Sequence, residues 1–116
     1  MLSEKVEAHT GGDDWALRVE IAEALGWTHK QVGGVVAWYS PDQPDTMKAG
    51  PPKWLTSLDA AMTLVQDGWA WTLYSDASCE IGLIPAPGYL VNPEYIIDAA
   101  TPALALTAAA LKARGL

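Results

Sequence analysis

The most constraining feature of this sequence is its last helical signal. Thr101 stands as an N-cap, Pro102 takes the first helical position, and an alanine-rich run fills 103–113 before Gly115. Leu104, Ala108 and Leu111 form its main stripe, with Lys112 and Arg114 at the negative end of the helix dipole. Alanines let such a helix approach a neighbouring layer closely, and the sequence offers a sheet for that layer. Trp69, Trp71 and Leu73 alternate with Ala70, Thr72 and Tyr74 in the period of a strand.

The remaining elements follow from caps and breakers. Asp13 and Asp14 open a helix over 15–25, where Leu17, Ile21 and Leu25 form a stripe widened by Ala22 and Ala24, and Gly26 stops it. Arg18, Glu20 and Glu23 fall mostly off that stripe. Ser57 caps a helix over 58–66 with Leu58, Ala61, Met62 and Val65 on one face. A short polar helix is expected over 2–9. Gly33-Gly34 precedes an apolar strand at 35–39, and a turn at Asp76-Ala77-Ser78 makes 69–74 and 79–84 an antiparallel hairpin. Pro85-Ala86-Pro87-Gly88 breaks the sheet, and 89–98 reads as an irregular third strand interrupted by Pro93. Pro41, Pro44, Pro51 and Pro52 exclude a regular helix or a central strand between 40 and 56, which is expected to be a long irregular loop. The expected fold is α+β: a small antiparallel sheet of three to four strands with helices on both faces, an α/β/α sandwich in a single domain over 1–116.

Composition narrows the function classes. With six Trp and no Phe, aromatic core contacts fall to Trp and Tyr. The formal net charge of −7 opposes approach to a phosphate backbone, disfavours direct nucleic-acid binding, and favours basic partners. Cys79 is the lone cysteine and cannot close an intramolecular disulfide. The N-terminal residues lack the apolar core of a signal peptide, and the apolar stretch near 102–111 is far short of the ~20 residues of a membrane span. The expected location is the cytoplasm, with no membrane partner.

Catalytic constellations are missing from the spacing. His9 and His29 are the only histidines and show no ligand spacing with each other or with Cys79, so neither a metal nor a cofactor is expected. Ser78-Cys79-Glu80 has no histidine near it, and Cys79 reads as a core thiol. Asp13-Asp14 acts as a cap, and Glu20 with Glu23 lies on a solvated helix face. Gly11-Gly12-Asp13-Asp14 lacks the lysine and the spacing of a phosphate loop. No enzymatic activity is expected.

The 40–56 stretch carries the binding candidates. Trp54 beside Lys53 and Lys48, with Trp38 and Tyr39 from the preceding strand, could stack a planar ring and meet phosphate. The competing reading makes Trp54 and Leu55 a hydrophobic staple for the helix that starts at Ser57.

Three phrases carry a resemblance: Ile21-Ala22-Glu23-Ala24-Leu25-Gly26-Trp27, then Thr56-Ser57-Leu58-Asp59-Ala60-Ala61-Met62 through Gly68-Trp69, then Ala100-Thr101-Pro102-Ala103-Leu104-Ala105-Leu106. In this order they resemble the small phage and prophage proteins of the phage ABA-sandwich family. The resemblance implies helices on both faces of an antiparallel sheet and a phage setting, and it carries over no functional residue. The leading expectation is an accessory protein that binds a host or phage protein without catalysis, its acidic surface blocking the basic groove of a host defence protein. Alternatives are a sponge for a small signalling nucleotide, with its pocket at a homo-oligomer interface, and a virion structural or assembly part.

Overall fold

The computed structural model describes residues 1–83 and 94–116. The breaker Pro85-Ala86-Pro87-Gly88, the start of the third strand through Pro93, and Ile84 lie outside the described residues. In chain order the elements are α1 (Leu2–Ala8), α2 (Trp15–Ala24), β1 (Thr28–Val32), β2 (Val35–Ser40), β3 (Gln43–Lys48), α3 (Leu58–Met62), β4 (Trp69–Leu73), β5 (Ser78–Leu83), β6 (Tyr95–Asp98) and α4 (Pro102–Ala113). The class is α+β, and every strand pairing is antiparallel. The strands are shared between two three-stranded sheets, in the orders β1-β2-β3 and β4-β5-β6. The chain divides into two compact units, one of Met1–Asp13 with Lys53–Leu116 and one of Asp14–Pro52.

In the larger unit α4 is the centre. Thr101 Oγ1 accepts from Leu104 N at 3.2 Å, so the cap predicted from Thr-Pro forms. Every residue from Ala103 to Leu111 is buried, which widens the expected stripe of Leu104, Ala108 and Leu111 to the whole circumference. A helix apolar all round must be enclosed, and α4 packs against β5, β6, α1 and α3. Thr107 is the polar exception, and its hydroxyl donates to the Trp54 carbonyl at 2.7 Å. Arg114 Nε donates to Leu64 O at 2.9 Å, tying the end of α4 to the turn after α3.

The helix at 58–66 is shorter than expected. Ser57 Oγ accepts from Ala60 N as predicted, but the helix ends at Met62. Thr63 turns its hydroxyl back onto Ala60 O at 2.6 Å, a local bond that competes with helix propagation. The buried side chains are Ala61 and Leu64, while Leu58 and Met62, expected inside, are exposed.

β4 and β5 form the expected hairpin. Its three-residue loop is closed by Tyr74 N donating to Ser78 O and Ala77 N donating to Tyr74 O. Ala77 has φ 65, the left-handed conformation that glycine fills in loops of this length. Ala77→Gly is therefore expected to raise stability by about 0.5–1 kcal/mol, strain relief outweighing the added unfolded-state entropy, read as a higher urea midpoint at unchanged slope. Ser78 N and Oγ both donate to Asp76 Oδ1 and hold that carboxyl below its usual range. The turn contact is thus present above the ordinary carboxylate range and lost as pH falls through the lowered value.

In the smaller unit α2 begins as predicted, with Asp14 Oδ1 accepting from Leu17 N at 3.1 Å. Leu17, Ile21 and Ala22 are buried, and so is Arg18, which was expected off the stripe. Its guanidinium donates to the carbonyls of Pro51 and Pro52 and lies over the Trp15 ring. A carbonyl followed by a prolyl nitrogen, or belonging to proline, keeps its acceptor while the residue brings no donor, so an arginine fork satisfies it well.

Two strands here escaped the sequence reading. β1 is Thr-His-Lys-Gln-Val, exposed at all five positions, so it shows neither alternation nor an apolar run. Gly33-Gly34 is the two-residue loop of a hairpin in which Val32 faces Val35, with φ 62 at Gly33 as a type II′ turn requires. β3 lies inside the stretch expected to be irregular. It is an edge strand, which is where Pro44 is tolerated, and its register against β2 shifts between Trp38 and Ser40.

Candidate protein-docking face

The five residues singled out in the sequence are divided between the two units. Trp54 is 1% exposed and belongs to the core of the larger unit, so the staple reading describes it and a stacking role does not. Its neighbour Lys53 is exposed in the same unit. Trp38, Tyr39 and Lys48 belong to the smaller unit. Trp38 is buried, with Trp15 edge-on at 6.0 Å and His29 tilted against it at 4.6 Å. Lys48 faces Trp38 in register, but its Nζ lies over the Trp27 ring and donates to Gln43 Oε1 at 2.7 Å. Tyr39, next along β2, turns to the other face and sits beneath Lys30.

The nucleophile candidate is also a core group. Cys79 is fully buried, and burial, with Glu80 adding a smaller push, raises its thiol to about 11. At neutral pH it is a protonated packing group. Native protein is expected to resist a thiol reagent at pH 8, with stoichiometric labelling only after denaturation. Prompt native labelling would contradict that placement. The stabilisation from the protonated thiol is present below the ordinary thiol value and lost as pH rises toward 11, because the unfolded chain ionises first. Among the described residues, no group of three or more His, Cys, Asp or Glu is placed to hold a metal ion.

What the larger unit does present is one face of its sheet. The register sets Leu73, Cys79 and Ile97 on one side together with Trp71, Ile81 and Tyr95. Cys79, Ile81 and Ile97 of this side are buried. The opposite side carries Thr72, Glu80 and Ile96 in one cross-strand row and Ser78 with Asp98 in the next. Just before β6, Glu94 N donates at 2.8 Å to the carbonyl of Ile81, the residue that also faces Tyr95. Glu80 has Asp98 at one diagonal, about 7–8 Å away by the geometry of an antiparallel pair. Directly opposite Glu80 stands Ile96, 65% exposed, an isoleucine in open solvent flanked by the Glu80 and Asp98 carboxylates. Tyr74, 45% exposed, closes the end of this face, and its hydrogen bond to Glu80 holds the phenol above its usual range.

Neither Glu80 nor Asp98 was picked out from sequence, although a signal for them exists. From Trp54 through Leu111 the chain contains no Lys, Arg or His, while Asp59, Asp67, Asp76, Glu80, Glu94 and Asp98 all fall in that span. An even count of net charge hides this asymmetry, and the strand register turns part of it into a surface. Among the described residues, no helix is long and apolar enough to cross a membrane. Compared with known proteins, the chain matches no family model, no curated protein and no solved structure.

Proposed function

We propose that the chain is a non-catalytic binding protein whose docking surface is the outer face of the β4-β5-β6 sheet, and that its partner presents a basic surface. The observation that carries this reading is the exposed Ile96 opposite Glu80 and two residues from Asp98, with no cation in the sequence between Trp54 and Leu111. An apolar anchor flanked by like charges has the anatomy of a recognition patch: the anchor supplies desolvation energy, and the carboxylates steer and select a cationic partner. A basic nucleic-acid-binding groove of a host protein is the partner class that such a face would block. With the resemblance to the phage ABA-sandwich family, this supports a phage accessory protein acting on a host defence protein.

The nucleotide-sponge alternative loses its principal ring with Trp54 in the core. Of its two lysines, Lys48 already lies over Trp27, while Lys53 is exposed. The test is affinity capture from host lysate with the wild type and with Glu80→Lys/Asp98→Lys side by side. A basic protein retained by the wild type, released by salt and missed by the variant supports the proposal. Capture by both proteins alike, or by neither, removes it.

A further inference from the structure

The acidic face ends at an open strand. β6 pairs with β5 from Asp98 opposite Ser78 to Tyr95 opposite Ile81, and its other edge has no strand partner among the described residues. In an antiparallel ladder alternate residues turn their N–H and C=O away from the partner, so β6 presents such groups along its outer edge. Among the described residues, no backbone hydrogen bond reaches Tyr95, Ile96, Ile97 or Asp98 from outside that ladder. Soluble proteins commonly blunt an edge with a lysine, a proline or a bulge. The smaller unit does so: β1 has Lys30 at its centre, and β3 has Pro44 and a shifted register. β6 is Tyr-Ile-Ile-Asp, with neither lysine nor proline and three strong strand formers.

We infer that the partner of the acidic face enters as an extended basic segment, which pairs with the open edge of β6 and becomes the fourth strand of its sheet. This rests on the docking reading above and narrows it from a basic surface to a basic strand. The charge of the edge selects the occupant. Glu94 just before β6 and Asp98 at its close are both exposed, with the exposed Ile96 between them in sequence. β4, the opposite edge of the sheet, has no charged residue to choose a basic partner. A second copy of the chain fits poorly. Antiparallel pairing of two copies about Ile96 sets Asp98 opposite Glu94, and each copy has a net charge of −7.

In strand addition main-chain bonds supply affinity, and alternate side chains supply selection. Directly opposed side chains stand about 4.5–5.5 Å apart. A cation opposite Asp98 and an apolar residue two places along, opposite Ile96, therefore form one row on the outer face, while the residue between them turns to the other side. The complementary pattern is cation-x-apolar, with a further cation toward the Glu94 end. Ile97, fully buried, fixes β6 to the core, so the edge is held in place before the partner arrives.

The probe is the capped peptide Arg-Arg-Thr-Val-Thr-Arg-Arg, which presents the same pattern in either strand direction. It is used in three forms: unmodified, N-methylated at the threonine amides, and N-methylated at the valine and its two nearest arginine amides. Each is titrated into the full chain at low salt, to about 1 mM, with NMR and with hydrogen exchange of the β6 amides. Only one of the two methylated sets faces β6, because amides alternate along a strand. The expected result is that one methylated form binds like the unmodified peptide and the other roughly tenfold more weakly, its methyl groups having replaced the donors to β6. Alternate amides within 95–98 should exchange more slowly in the complex. Equal binding of all three forms with no added protection in β6, while Glu80→Lys/Asp98→Lys still weakens them, overturns the strand pairing and leaves the acidic face standing. An unmodified peptide that fails to bind, or binds that variant as well as the wild type, overturns both.

Discussion

Leu106→Ala is expected to lower the unfolding free energy by about 3–5 kcal/mol, the upper part of the range for deleting a buried leucine side chain. Leu106 is fully buried in a helix buried at every position from Ala103 to Leu111. Much of the cost of such a substitution depends on how far the surroundings collapse into the space. Around α4 the walls are β5, β6, α1 and α3, and its small alanines already hold these elements close. Neighbours that already lie against backbone have little room to move further, so most of the cavity persists. For a protein of this size the loss is a large share of the total stability and lowers Tm by more than about 10 °C. Urea unfolding followed by Trp fluorescence measures it. A loss below about 1 kcal/mol would mean that α4 is not the enclosed centre of the larger unit.

The second large effect concerns binding. Glu80→Lys/Asp98→Lys is expected to weaken the basic partner's affinity about 100-fold at low salt, roughly 2.7 kcal/mol. Each substitution replaces an attraction with a repulsion next to the Ile96 anchor, so the effect exceeds that of neutralising a rim charge. Most of it should appear in the association rate and shrink as salt is raised. The control is Glu20→Lys/Glu23→Lys in α2, which changes the net charge equally at exposed positions of the other unit. If charge placement matters, the control weakens binding by less than about threefold. Equal losses from both variants would make net charge the cause and remove the docking face from the account.

Several elements were legible because the residues that set them act locally. Asp14, Ser57 and Thr101 each form the cap that their residue type predicts, since a cap needs only its own first turn. The alternation of Trp69, Trp71 and Leu73 located β4 because one side of that sheet is covered and the other is not. β1 was missed for the opposite reason: a strand exposed at every residue has nothing to alternate. β3 was missed because four prolines argue against regular structure, and an edge strand is the exception that admits one of them. Gly33-Gly34 did carry the hairpin signal, but with β1 unseen it read only as the start of β2.

The site was less legible than the fold. Trp54 beside lysines suggested a ligand platform, and packing decided instead that the ring is core. Glu80, Ile96 and Asp98 lie on two different strands and become neighbours only through the β5–β6 register. Local spacing rules cannot see such a pairing. Length alone suggested one core, while the contacts form two units, because the chain from Asp14 to Pro52 closes its own three-stranded sheet.

The most direct test of the acidic docking face is an amide-resolved NMR titration of the full chain with an oligo-arginine peptide. The account predicts shifts concentrated at Thr72, Glu80, Ile96 and Asp98, reversed by salt and lost in the Glu80→Lys/Asp98→Lys variant. Shifts spread evenly over Glu20, Glu23, Asp42 and Asp45, or no shifts on the β4-β5-β6 sheet, would contradict it.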